Sequence, residues 1–169
     1  MSGQLRVGVV GVGHLGQHHA RVYAELGDCD LVGVADSDPE RGKEIAQRHG
    51  TTFYDDYATL CNHVEALSLA VPTEHHYQIG LNCLQRGIHV LIEKPMCQTL
   101  EEADHLNKVA EAHQVIVQIG HTERFNSAVV KLAEVVDKPA FIESNRLSPF
   151  PERSTDIDVV LDVMIHDID

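Results

Sequence analysis

The sequence predicts an α/β protein built on a doubly wound parallel sheet, followed from residue 121 by the first elements of a second, incomplete α/β domain. Three observations carry this expectation. Short apolar runs rich in Val, Ile and Leu alternate with helical patterns from Leu5 to Ile119, so each helix can return the chain to begin a parallel neighbour. The first run opens through a glycine-rich turn directly into a helix. Hydrophobic residues make up 43% and charged residues 23% of 169 residues, the usage of a chain that buries a core.

Leu5 to Val10 reads as a buried parallel strand. It runs into Gly11-Val12-Gly13-His14-Leu15-Gly16 and then a helical pattern from His14 to Leu26. In that strand-to-helix context the three glycines have separate uses: Gly11 permits the tight turn, Gly13 lets a pyrophosphate approach the backbone, and Gly16 lets helix and strand pack closely. An anion then sits at the helix N-terminus, against Val12, Gly13, His14 and Leu15. The second strand, Leu31 to Asp36, ends in an acid twenty residues past Gly16. An acid at that distance accepts from a ribose 2′-hydroxyl and repels a 2′-phosphate, which favours NAD over NADP on a Rossmann fold. Arg41 lies close enough in sequence to keep NADP open as the less favoured cofactor, although the helical pattern assigns it to the solvated outer face of the next helix.

That helix has Asp38 as N-cap, Pro39 at its first position and Gly50 past its end. Thr52–Tyr54 reads as a short strand, Asp56–Asn62 as a short helix and Ala66–Val71 as the fourth strand, stopped by Pro72. Pro72 and Thr73 begin a helix reaching Arg86, at the sheet edge where the cofactor's ribose or nicotinamide would lie; Thr73 reads equally as a plain N-cap. The fifth strand, His89–Ile92, ends in Glu93-Lys94-Pro95. A lysine there must be solvated, paired or used, and ligands of open α/β sheets bind at that end of the strands. Thr99-x-x-Glu102 is a capping box for a helix over Leu100–His113, and Val115–Ile119 is the sixth strand.

Beyond Gly120 the pattern changes. His121-Thr122-Glu123-Arg124-Phe125-Asn126 leads to a helix over Ser127–Val136, a strand over Ala140–Arg146, and a proline-broken loop containing Arg153. The last segment, Asp158–Asp169, has a helical pattern with apolar residues around most of its circumference. Asp158, Asp162 and His166 recur at i, i+4 and i+8 on one stripe. An Asp one turn before a His suits a general acid/base, and equally a pair that only satisfies itself in a core or interface.

The formal charge of −13 disfavours nucleic acid and anionic membrane as partners. Four dispersed cysteines without a CxxC pair fit a reduced, cytoplasmic chain, and the N-terminus runs into a strand pattern rather than a signal peptide. The twelve histidines show no zinc spacing and are expected to be solvated or locally hydrogen-bonded, with no metal.

The glycine motif, Asp36, the Pro72 turn, Glu93-Lys94-Pro95, Arg124-Phe125 and Asp162-x-x-x-His166 together resemble the Gfo/Idh/MocA oxidoreductases. Within that family the chain looks like the branch of UDP-N-acetylglucosamine 3-dehydrogenase-like and MviM-like proteins. The resemblance implies a Rossmann domain over residues 1–120 and a substrate domain beginning at 121, with family members about twice this length. It implies hydride transfer between a sugar or nucleotide-sugar hydroxyl and NAD, with Lys94 polarising the reacting oxygen, His166 exchanging its proton and Asp162 orienting it. Glu93 and Lys94 would border the cofactor, the Lys94–Pro95 bond would be cis, and the full-length form would be a homo-oligomer. Arg124, Asn126, Arg146 and Arg153 are the candidate substrate contacts. A chain of this length reads alternatively as a dinucleotide-binding module without turnover.

Overall fold

The computed structural model describes residues 3–143 together with Asn145, Val160, Met164 and Ile165. The chain divides into two compact units, Met1–Ile119 and Gly120–Asp169. In the first, β1 (Leu5–Val10), α1 (Gly16–Glu25), β2 (Cys29–Ala35), α2 (Pro39–His49), β3 (Thr52–Tyr54), α3 (Tyr57–Leu60) and β4 (Ala66–Leu69) follow in order. A 3₁₀ turn (Thr73–His75), α4 (His76–Gln85), β5 (His89–Ile92), α5 (Leu100–His113) and β6 (Val117–Ile119) complete it.

The six strands form one sheet in the order β3-β2-β1-β4-β5-β6, and every neighbouring pair is parallel. The chain therefore winds outward from β1 in one direction and then, from β4, in the other. The reversal leaves a crevice beyond the carboxyl ends of β1 and β4, where no connection crosses over the sheet edge.

Strand periodicity sorts the core onto the two faces. Val10, Leu67, Leu69, Val90 and Ile92 join Leu60, Leu84 and Leu106 of α3, α4 and α5 in one cluster. Val9 and Val34 join Ala20, Ile45 and Ala46 of α1 and α2 in the other. Each fully buried Leu or Val contributes about 1.5–3 kcal/mol over leaving it in water. Ser68, between Leu67 and Leu69, turns to the α1 face and is fully buried there.

The helix signals act locally, as expected. Asp38 accepts from the N–H groups of Glu40 and Arg41, Pro39 follows it, and Gly50 closes α2 in the left-handed conformation. Thr99 and Glu102 form the reciprocal capping box of α5. Two expectations shift. The first helix starts at Gly16 rather than His14, because the preceding residues form the turn itself. Thr73 caps nothing: it is the buried first residue of the 3₁₀ turn, and the α-helix begins at His76.

In the second unit a 3₁₀ turn (Thr122–Phe125) leads to α6 (Ser127–Val135), none of whose residues is buried. The strand expected over 140–146 is not formed by Ala140–Glu143, where Phe141 and Ile142 are 81% and 75% exposed. A strand needs a partner for its N–H and C=O groups, and among the described residues none pairs with this segment. Arg146, Arg153 and the Asp162/His166 stripe of the expected last helix lie outside the described residues. Among the described residues no helix is long and apolar enough to cross a membrane.

Candidate functional site

A cavity of about 490 Å³ opens beyond the carboxyl ends of β1, β2 and β4, lined among others by Gly11, Gly13, Asp36, Ser37, Arg41 and Pro72. The loop from Gly11 to Gly16 forms one wall, and its glycines act as their spacing requires. Gly11 has φ +80°, and a Cβ there would come within 2.7 Å of the Ala70 carbonyl oxygen. At Gly16 a Cβ would collide with the Gly11 carbonyl oxygen, so the helix can only start this close to the strand without one. Gly13 meets nothing within 4 Å: a Cβ there would fill only the space into which a ligand's phosphates would come. Among the hydrogen bonds of the described residues, none is donated by the N–H of Gly13, His14 or Leu15. These donors at the start of α1 suit a pyrophosphate. Val12 differs, since its side chain is in the core and its N–H is taken by Asp36.

Asp36 follows β2 and is the most heavily bonded side chain of the site. Its Oδ2 accepts from the N–H of Val12 at 2.7 Å and from Arg41 Nε at 3.2 Å. Its Oδ1 accepts from the N–H of Asp38 at 2.8 Å and from Arg41 Nη2 at 2.6 Å. Burial pushes this carboxyl up, but the Arg41 guanidinium and the two backbone donors outweigh burial and hold it below the usual carboxylate range. Arg41 is therefore not a solvated outer-face residue, as expected from the helical pattern. Its position on the first turn of α2 brings the guanidinium back over the strand end, where a buried carboxylate outcompetes water.

At the end of β5, Lys94 is partly exposed and the Lys94–Pro95 bond is cis. Glu93 is turned inward, and His19 of α1 contacts it through Nε2 at 3.0 Å while Nδ1 meets Ser68 Oγ at 2.8 Å. Tyr23 Oη lies 3.1 Å from the same Ser68 oxygen, so a polar chain runs Tyr23, Ser68, His19, Glu93 beneath the strand end. Burial pushes the Glu93 carboxyl up, yet the hydrogen bond and charge of His19 outweigh it and hold the group below its ordinary value. His76, 1% exposed at the start of α4, spans the same region with Nδ1 2.9 Å from the Pro95 carbonyl oxygen and Nε2 2.9 Å from that of Val71. It ties the Pro72 turn to the cis turn.

These two histidines, His76 buried and His19 half-buried, correct the expectation that the histidines are solvated or locally bonded: their partners lie 19 to 74 residues away, except Val71. Helical spacing carried the signal. His19 shares a stripe with Gly16, Ala20 and Tyr23, and His76 shares one with Gly80, Cys83 and Leu84, both stripes facing the sheet.

Gly11, Gly13, Asp36 and Pro72 thus converge on the cavity, Thr73 is buried beside it, and Glu93 and Lys94 occupy the neighbouring strand end. In the second unit Asn126 accepts from the N–H of Ala128, capping α6, and donates to Glu123. Arg124 sits in the preceding 3₁₀ turn.

Residues 5–121 match the Gfo/Idh/MocA model, described as an oxidoreductase family with an NAD-binding Rossmann fold. The chain is 40% identical over 166 residues to UDP-N-acetylglucosamine 3-dehydrogenase of Acidithiobacillus ferrooxidans, covering 98% of this chain and 52% of that protein. The solved structure of that enzyme superimposes with a TM-score of 0.91 over 98% of this chain and 54% of that one, at 39% identity. Inositol 2-dehydrogenase of Rubrobacter xylanophilus is 34% identical over 182 aligned positions, covering 99% and 51%. GenD2 from gentamicin A biosynthesis, solved in complex with NAD, superimposes with a TM-score of 0.77 at 28% identity, covering 80% of this chain and 39% of that one. The chain spans about half the length of the relatives it matches. With its glycine cradle, its Asp36 and its strand order, the chain belongs to the Gfo/Idh/MocA oxidoreductase family and has that family's NAD-binding Rossmann fold.

Proposed function

We propose that this chain is the cofactor-binding part of an NAD-dependent dehydrogenase acting on a ring hydroxyl of a sugar or nucleotide sugar, with C3 of UDP-N-acetylglucosamine as the leading candidate. The observation that carries the reading is the open space over Gly13 between the start of α1 and Asp36, beside the strand end that bears Lys94. Similarity at 40% identity to a UDP-N-acetylglucosamine 3-dehydrogenase supports the substrate.

The residues present fit NAD. Gly13, His14 and Leu15 offer backbone donors to the pyrophosphate, Asp36 offers its carboxylate to the adenosine ribose, and the Pro72 turn borders the opposite side. When bound, the nicotinamide supplies the hydride acceptor. Lys94 places a positive charge near the substrate oxygen, which gains negative charge as its carbon loses hydride. His166 takes the hydroxyl proton and Asp162, four residues earlier in the chain, orients the imidazole. Arg124, Arg146 and Arg153 supply guanidinium groups for a substrate diphosphate in an otherwise acidic protein, and Asn126 a polar contact. The protein acts in the cytoplasm as a homo-oligomer, with small-molecule partners only.

Calorimetric titration of the chain with NAD and NADH tests the cofactor site. Formation of reduced nicotinamide with UDP-N-acetylglucosamine, other nucleotide sugars, free sugars and cyclitols, measured on the longest in-frame form of the protein, tests the reaction. Absence of dinucleotide binding would overturn the whole reading; binding with silence towards every sugar and cyclitol would leave a binding module and overturn the dehydrogenase.

A further inference from the structure

We propose that Cys61 and Cys83 form a peroxide-sensitive thiol pair whose disulfide reshapes the wall of the cofactor cavity and lowers its dinucleotide affinity. The bond itself stands on the geometry of the thiols; its effect on NAD rests on the dinucleotide reading of the cavity above. The two sulfur atoms are 3.7 Å apart although 22 positions separate them in the chain, and they share a thiol–thiol hydrogen bond. Cys61 is the C-cap of α3 and Cys83 lies in the last turn of α4. Both are free thiols. A transient disulfide of this kind is the type that occurs where chains are otherwise kept reduced.

The surroundings give the two thiols different roles. Cys61 keeps 6% exposure and Cys83 1%, so a small oxidant meets Cys61 first. The hydrogen bond from Cys83 and the charge of Arg86 outweigh burial and hold the Cys61 thiol below its ordinary value, towards the nucleophilic thiolate. Arg86 is held over α3 by Nη1, which donates to the Ala58 carbonyl oxygen at 2.9 Å. The same sulfur contact, together with burial, pushes the Cys83 thiol up, so Cys83 keeps its proton until it acts as the resolving thiol. Cys97 shows the contrast: burial, with Glu102 adding to it, pushes that thiol up to about 11.

Hydrogen peroxide is the oxidant. The Cys61 thiolate attacks one peroxide oxygen, the O–O bond breaks, and the departing hydroxide takes a proton to become water, leaving a Cys61 sulfenic acid. The Cys83 sulfur then attacks the Cys61 sulfur. The S–S bond forms as the S–O bond breaks, and the second hydroxide leaves as water with the Cys83 proton. Two thiols and one peroxide thus give one disulfide and two waters, with two electrons passing from the sulfurs to the peroxide.

Both thiols stand one helical turn from the cavity wall. The N–H of Cys61 donates to the Tyr57 carbonyl oxygen at 2.9 Å, Cys83 follows Ile79 by one turn of α4, and Tyr57 and Ile79 both line the cavity. Burial raises the Tyr57 hydroxyl, and Cys83 and Cys61 add to it, as groups close to that ring would. Closing the bond brings the sulfurs to about 2 Å. A densely packed interior passes such a shift to its neighbours, here Tyr57 and Ile79.

The test treats the 169-residue chain with equimolar hydrogen peroxide, maps its non-reduced peptides by mass spectrometry, and titrates it with NAD by calorimetry before oxidation, after it, and after dithiothreitol. The oxidised chain is expected to carry the Cys61–Cys83 linkage and to bind NAD at least about threefold more weakly, the scale of a few lost packing contacts. Dithiothreitol restores both. Cys83→Ser, which removes the resolving thiol, is expected to leave Cys61 as a sulfenic acid that dimedone traps, and Cys61→Ser to make NAD affinity insensitive to peroxide; circular dichroism verifies that both fold. Absence of the linkage, a linkage through Cys29 or Cys97, or a linked chain that binds NAD as tightly as the reduced one would each overturn the proposal alone. A reduced chain that forms the linkage on oxidation but never binds NAD would overturn the dinucleotide reading and the coupling with it.

Discussion

Replacing His19 by alanine removes the group that balances Glu93 inside the sheet edge, and the structure bounds the cost. The side chains of His19 and Glu93 are 16% and 8% exposed, so water replaces the lost contact poorly, and leaving a buried acceptor without its hydrogen bond costs about 1–3 kcal/mol and more when the group is charged. The protein has one escape, protonation of Glu93. From an ordinary glutamate pKa this costs about 3.7 kcal/mol at pH 7. The expected loss is therefore about 2–3.5 kcal/mol at pH 7, a fall in melting temperature of roughly 10 °C for a unit of this size.

The pH dependence gives the sign. In the wild type the folded Glu93 carboxyl lies below its ordinary value, so its contribution is present above the unfolded pKa and is lost as pH falls through the folded one. Without His19, burial dominates and raises the carboxyl, so the penalty is largest at neutral pH and shrinks towards pH 5, where protonation is cheap. Thermal denaturation followed by circular dichroism at both pH values measures this, and the His19→Ala/Glu93→Gln double variant should recover at least half the loss. A loss below about 0.5 kcal/mol, or one that is the same at both pH values and unrelieved by Glu93→Gln, would refute the reasoning.

Three further outcomes are expected. Gly13→Ala, whose Cβ meets no atom, should melt like the wild type yet bind NAD at least about tenfold more weakly; Gly16→Ala, whose Cβ collides with the Gly11 carbonyl, should lose both stability and binding in the same two assays. Asp36→Ala should weaken NAD by roughly tenfold or more, through lost charge-assisted bonds to the ribose, and leave NADP less affected; an unchanged NAD-to-NADP ratio would mean the ribose is read elsewhere. Lys94→Ala should keep NAD affinity within about twofold in calorimetry while turnover in the longest in-frame form falls by at least about 10².

The sheet was legible because its signals are local. The apolar runs, the caps at Asp38 and Thr99 and the glycine turn each act within a few residues, and the structure places β1, α2, β5 and α5 at or within a residue of the expected bounds. The strand proposed over Ala140–Arg146 failed where it can be seen because apolar content alone makes no strand without a partner edge. The candidate site was half legible. Asp36 was found from its distance to Gly16, but the same distance could not show that Arg41 saturates it.

By itself the sequence determined the family, the order of strand and helix, and the loop conformation that the three glycines permit, since steric limits on φ and Cβ belong to each residue wherever it is. Only the tertiary structure decided how the charges at the sheet edge are balanced. Glu93 and His19 are 74 residues apart and meet because α1 packs across β4 onto the α1 face of the sheet. His76 joins two carbonyls from different strand ends for the same reason. A buried charge takes whatever partner the fold delivers, and that partner is set by strand order rather than by neighbours in the chain.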